Sequence, residues 1–169
     1  MTTVADALHQ NRAAVEEFLA TAATASGHWT TPRAPKKWSP SQVTEHVARA
    51  LEQSGYGIAR QPTLFPVFPR FVRPIMRGVF FNRMVRTGHF PGGARTNKPM
   101  DPESGPPGVA EGRARLQGAL AVLEAAALAR SAGDELVETT TFGKVSLPDY
   151  LVFQAHHTRH HRPQLGKAT

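Results

Sequence analysis

The sequence has no cysteine, which excludes disulfides, thiolate metal ligands and a protein thiol nucleophile. Any thiol chemistry must draw its thiol from a small molecule. No stretch approaches the roughly 18 uninterrupted apolar residues of a membrane-spanning helix. The opening "MTTVADALHQNRAAVEEF" lacks the basic region and apolar run of a secretory signal, so a cytoplasmic location is expected. Acidic residues are missing altogether between Glu52 and Asp101, an interval that holds Arg60, Arg70, Arg73, Arg77, Arg83, Arg86, Arg95 and Lys98. The formal charge of +7 is therefore concentrated in one region, where an anionic substrate, nucleic acid or a membrane surface could meet it.

What is present reads as one folded domain over residues 1–169, with 40% hydrophobic and 20% charged residues. In "VADALHQNRAAVEEFLATAA" the apolar residues Val4, Leu8, Val15, Phe18, Leu19 and Ala22 follow helical spacing, predicting a first helix from about residue 3 to 25. "KKWSPSQVTEHVARALEQSG" carries a second helix, to about Ser54. Its start is marked by Ser39 as N-cap, Pro40 at N1, Gln42 closing a capping box, and Trp38 with Val43 as hydrophobic staple. Residues 56–108 are broken by proline, and only "RPIMRGVFFNRMVRTG" looks regular. Ile75, Val79, Phe80 and Met84 recur there as in a short basic amphipathic helix whose apolar side packs inward.

A third long helix over about 109–131 places Leu116, Leu120, Leu123 and Ala127 on one side and stops near Gly133. After a short extended linker, Ser146 and Asp149 cap a fourth helix, with Val145 and Tyr150 as a second staple. With no convincing strand pattern, the expected fold is all-α. It is a four-helix bundle with a long Pro/Arg-rich crossover between helices 2 and 3.

The fourth helix holds "QAHHTRHHRPQL", in which four of the eight histidines fall within six residues. The interrupted run continues into "LGKAT" and does not resemble an expression tag. With the apolar face centred on Tyr150, His157 and His161 lie about 20 degrees either side of that centre, while His160 falls on the flank and His156 toward solvent. Two imidazoles at i and i+4 can chelate one divalent ion. On the second helix His46 takes a core position in the series Val43, His46, Val47, Ala50 and Leu51. Three inward histidines on two helices form a candidate metal site with positions left open for water or substrate. Neutral imidazole suits zinc, nickel, copper or iron and does not by itself identify the ion; the expected cofactor is one divalent ion, zinc or nickel. Gln164, one turn after His161, is placed to orient a ligand. Glu45 adjoins His46 in sequence and so points about 100 degrees away, leaving no inward carboxylate as a general base.

"WSPSQVTEHVARAL" and "FGKVSLPDYLVFQAHHTRHHRPQL" together resemble the DinB-like superfamily, which includes the YfiT-type hydrolases and the mycothiol- and bacillithiol-dependent transferases. The family's single histidine on helix 2 and H-x-x-x-H on the last helix fall on His46, His157 and His161. The resemblance implies an up-down-down-up bundle, a divalent metal and often a homodimer. It further implies a small-molecule substrate attacked by water or by a low-molecular-weight thiol, in a hydrolase or thiol-transferase reaction. On this reading Arg73, Arg77, Arg83 or Arg86 anchors an anionic group of the thiol or substrate. If the histidines are instead structural or vestigial, the basic segment 70–98 is a nucleic-acid or membrane-surface element.

Overall fold

The computed structural model describes residues 2–91, 96–131 and 136–166. Three of the long helices begin where a side chain satisfies an otherwise unpaired backbone N–H. Helix α1 (Val4–Ala23) opens on a capping box between Thr3 and Asp6, and α2 (Pro40–Ile58) on the predicted box between Ser39 and Gln42. Helix α2 runs a full turn beyond Ser54. Gly55, which reads as a helix breaker, lies inside it because α5 (Val109–Ser131) passes close by. A Cβ on Gly55 would stand 2.9 Å from Val122 Cγ1 and 3.0 Å from the Val122 carbonyl oxygen. The last long helix, α6 (Leu147–His161), has its Asp149 amide donating to the Ser146 hydroxyl and runs into a 3-10 turn at Arg162–Leu165.

The long helices pack α2 on α5, α1 on α6, α1 on α5 and α2 on α6. Each thus has two long neighbours around one core, which includes Leu8, Phe18, Val47, Leu51, Leu116, Leu123 and Leu151. Polar links set the pairing. Asn11 donates to the Leu151 carbonyl across α1 and α6, and Arg115 of α5 reaches both Glu45 and Glu52 of α2. Glu45, as its sequence position required, faces away from His46. Gly133, the expected stop of α5, lies outside the described residues, as does Arg95.

Two expectations are corrected. The linker before α6 is a two-stranded antiparallel hairpin, β1 (Leu136–Thr139) and β2 (Gly143–Ser146), with Val137 opposite Val145. Four-residue strands give too short an alternation to stand out in sequence. Both valines are buried, and the Thr139 hydroxyl accepts from the Phe142 amide to tighten the turn.

The second correction concerns the basic helix, which is present as α3 (Arg73–Met76), a π turn (Arg77–Phe81) and α4 (Asn82–Thr87). It buries Phe81 and Met84 rather than Ile75, Val79 and Phe80, which are exposed. Phe81 meets the rings of Phe142 and Phe153 at centroid distances of 5.1 and 5.4 Å. Both sides of the helix are apolar in sequence, and this aromatic contact decides which one turns inward. No helix among the described residues is long and apolar enough to cross a membrane.

The close α2–α5 approach gives a paired test. Gly55→Ala should lower stability by about 1–2 kcal/mol, because overpacking against backbone exceeds the roughly 1 kcal/mol of helix propensity gained. Gly118→Ala, on an open face of α5 with nothing within 4 Å of the new Cβ, should raise it by up to about 1 kcal/mol. Urea unfolding midpoints measure both, and equal shifts of the same sign would contradict the packing.

Candidate metal centre

Helices α2 and α6 bring three imidazoles together. His46, His157 and His161 each offer one ring nitrogen, and the three atoms lie within 4.8 Å of one another. His46 and His161 are only 6% and 7% exposed, and His157 is half-buried. The i, i+4 spacing on α6 stacks His157 and His161 one turn apart, while the second turn of α2 presents His46 edge-on to both, with centroids 5.4 and 4.7 Å away.

Hydrogen bonds fix the tautomers that matter. The Met100 carbonyl can only accept, so His46 Nδ1–H donates to it at 3.1 Å and Nε2 keeps its lone pair. Gln164 Oε1 stands 3.1 Å from His161 Nδ1 and sets that ring the same way. His161 Nε2 then faces His157 Nε2 at 3.0 Å. Two nitrogens bound to one zinc-sized ion at about 2.0–2.1 Å would be roughly 2.9–3.4 Å apart, so the α6 pair already has the separation of a chelate. The donor set is neutral, nitrogen-only and turned inward, and it fits a divalent ion of borderline softness.

Burial holds the rings uncharged. It lowers His46 below the ordinary histidine value of 6.5, lowers His157 well below it, and pushes His161 down to about 3, with the neighbouring imidazoles adding to the shift. Protons therefore do not compete for these lone pairs near neutrality. Tyr150, two turns before His157, is buried and donates to Ser54 Oγ; burial pushes its hydroxyl up to about 12, and it stays protonated.

The walls come mostly from outside the two helices. The Trp38 ring lies 4.7 Å from His46 and its indole N–H donates to Asp101 Oδ1 at 3.1 Å. Phe90 sits 5.5 Å from His157 and 5.3 Å from His160. It is brought there by Gly88, whose φ of +65° ends α4 in the left-handed region that glycine favours.

The family model of the DinB superfamily matches residues 7–165. The chain belongs to the DinB superfamily. No curated protein and no solved structure matches it significantly. In this DinB-superfamily chain the three histidines picked from helical phase converge, and Gln164 touches one of them. The four arginines do not join them. Arg73 donates to the Phe68 carbonyl and lies 3.8 Å from Glu138, and Arg77 donates to the Lys144 carbonyl, so both hold the hairpin. Arg83 and Arg86 are exposed and, among the described residues, make no ion pair. Met100, Asp101 and Phe90 escaped sequence reading because their loops carry no periodicity. Trp38 was legible only as half of a hydrophobic staple, although an indole five positions before Val43 and eight before His46 also reaches the His46 ring.

A lowered histidine pKa has a defined stability signature. The unfolded chain takes up a proton at this position as pH falls below about 6.5 while buried His161 does not, so its contribution is complete above 6.5 and declines through the window down to about 3. In chelator-stripped protein, His161→Gln should reduce the slope of unfolding free energy against pH by about 1.4 kcal/mol per unit between pH 6 and 4.5. Parallel slopes for variant and wild type would contradict a buried neutral His161.

Proposed function

We propose that His46, His157 and His161 hold one divalent ion, zinc or nickel, in an enzyme that directs water or a low-molecular-weight thiol onto an electrophilic small molecule. The observation that carries the reading is the 3.0 Å approach of two imidazole Nε2 atoms on α6, with the His46 ring fixed beside them by a carbonyl. When bound, such an ion supplies Lewis acidity, bringing the pKa of a coordinated water or thiol into the neutral range. Absence of cysteine makes an external thiol the only thiol nucleophile available.

The chain's own residues supply orientation and exclusion. Met100 and Gln164 hold two rings in the tautomer that points Nε2 inward. Trp38, Phe90 and Phe153 wall the cluster with apolar rings and limit water around it. Among the described residues no carboxylate joins the three histidines as a protein base, and a bound ion would supply the acidification of the nucleophile in its place. The wider reading is one domain spanning the chain, its long helices forming an up-down-down-up bundle, cytoplasmic and homodimeric.

Elemental analysis of untagged protein after controlled reloading tests this directly. Wild type should carry close to one zinc or nickel per chain and His46→Ala close to none, with chelation abolishing thiol consumption in the presence of an alkylating acceptor. Absence of metal from the reloaded wild type would overturn the proposal. Gln164→Ala should retain the fold and weaken zinc affinity by roughly tenfold to a hundredfold, read by competition with a chromogenic chelator.

A further inference from the structure

The proposed chemistry makes no use of the outer face of the basic helix. Val67, Phe71, Ile75 and Val79 are 71%, 79%, 60% and 57% exposed, and Leu64 and Phe80 are exposed beside them. Ile75, Val79, Arg83 and Arg86 succeed one another at spacings of four, four and three, which places them along one side of the helical stretch, and Phe71 lies in the turn that leads into it. The side is apolar at its start and cationic at its end. Arg70, next to Phe71, adds a third exposed guanidinium, and none of Arg70, Arg83 and Arg86 makes an ion pair among the described residues. The helix cannot turn this face inward, because Phe81 on its other side is locked against Phe142 and Phe153.

Charge decides what covers the face. A second copy of the chain docking here by two-fold symmetry would set arginine against arginine, with no acidic residue between Glu52 and Asp101 to relieve it. Nucleic acid would meet the arginines but leave the apolar side chains, including the largely solvated Phe71, in water. A surface of anionic phospholipid satisfies both: acyl chains take the phenylalanine, isoleucine and valine, and phosphates take the guanidinium groups.

We propose that residues 64–86 form a peripheral membrane-docking face, in which Phe71, Ile75 and Val79 enter the interface and Arg70, Arg83 and Arg86 contact anionic headgroups. The helix lies along the surface and does not span it. Its inner side packs Phe81 on Phe153 of α6 and the segment after it brings Phe90 to His157, so the docked helix adjoins the wall of the histidine cluster.

The test is co-sedimentation of the full chain with large unilamellar vesicles of phosphatidylcholine alone or with phosphatidylglycerol. Binding should be at least roughly tenfold stronger to the anionic vesicles and should weaken in high salt. Phe71→Ser/Val79→Ser and Arg83→Gln/Arg86→Gln should each reduce it by roughly tenfold. All four positions are exposed, so circular dichroism melts of both variants should match wild type. A variant pair that melted early would be replaced by Ile75→Ser and Arg70→Gln. Equal binding to both vesicle types, or none, would overturn the proposal. Binding lost with the arginine variant but untouched by the apolar one would also overturn it, marking a general polyanion surface. A concentration-dependent dimer, seen by sedimentation velocity and abolished by Phe71→Ser/Val79→Ser in protein that ignores vesicles, would assign the face to a second copy.

Discussion

Three neutral imidazoles packed within 4.8 Å of each other impose the central constraint on this structure. Buried ring nitrogens need partners, and each lone pair turned inward must be matched by a donor or an ion. The chain answers by fixing the outward nitrogens first. The Met100 carbonyl and the Gln164 side chain accept from His46 and His161, and these two contacts decide which atoms face the cluster. One comes from the crossover and the other from the 3-10 turn that ends the last helix.

The crossover is therefore more than a connection. Its return leg is fastened to the start of α2 by several contacts: Gln42 donates to the Pro102 and Glu103 carbonyls, Ser41 and Trp29 donate to the Pro106 carbonyl, and Trp38 donates to Asp101. Proline suits this segment because it restricts the unfolded chain and leaves its carbonyls available as acceptors. The N-terminal turn of α2 thus both starts the helix and anchors the strap that orients His46. The outward leg carries the basic helix, whose Phe81 side belongs to the core and whose opposite side does not.

A division of labour among the arginines follows from the same layout. Arg115, Arg73 and Arg77 lie against helices and hairpin and are held there by carboxylates or carbonyls. Arg70, Arg83 and Arg86 lie outside that network and are exposed. The high formal charge is consequently partly architectural and partly displayed, and only the displayed part is available for recognition.

Local chemistry in the sequence determined the long helices and the identity of the three histidines. Capping boxes act within four residues, and helical phase places i and i+4 side chains together regardless of what lies beyond. His46 was legible because it interrupts an apolar series, and His157 and His161 because they share one face. The hairpin, the burial of Phe81 in place of Ile75 and Val79, and the roles of Met100, Asp101 and Phe90 were settled by tertiary structure alone. Each depends on a contact between residues far apart in the chain, such as Phe81 with Phe142 or His46 with Met100. Periodicity describes a segment's own symmetry; where two faces are equally apolar, or a loop has no period, only the partner across space can choose.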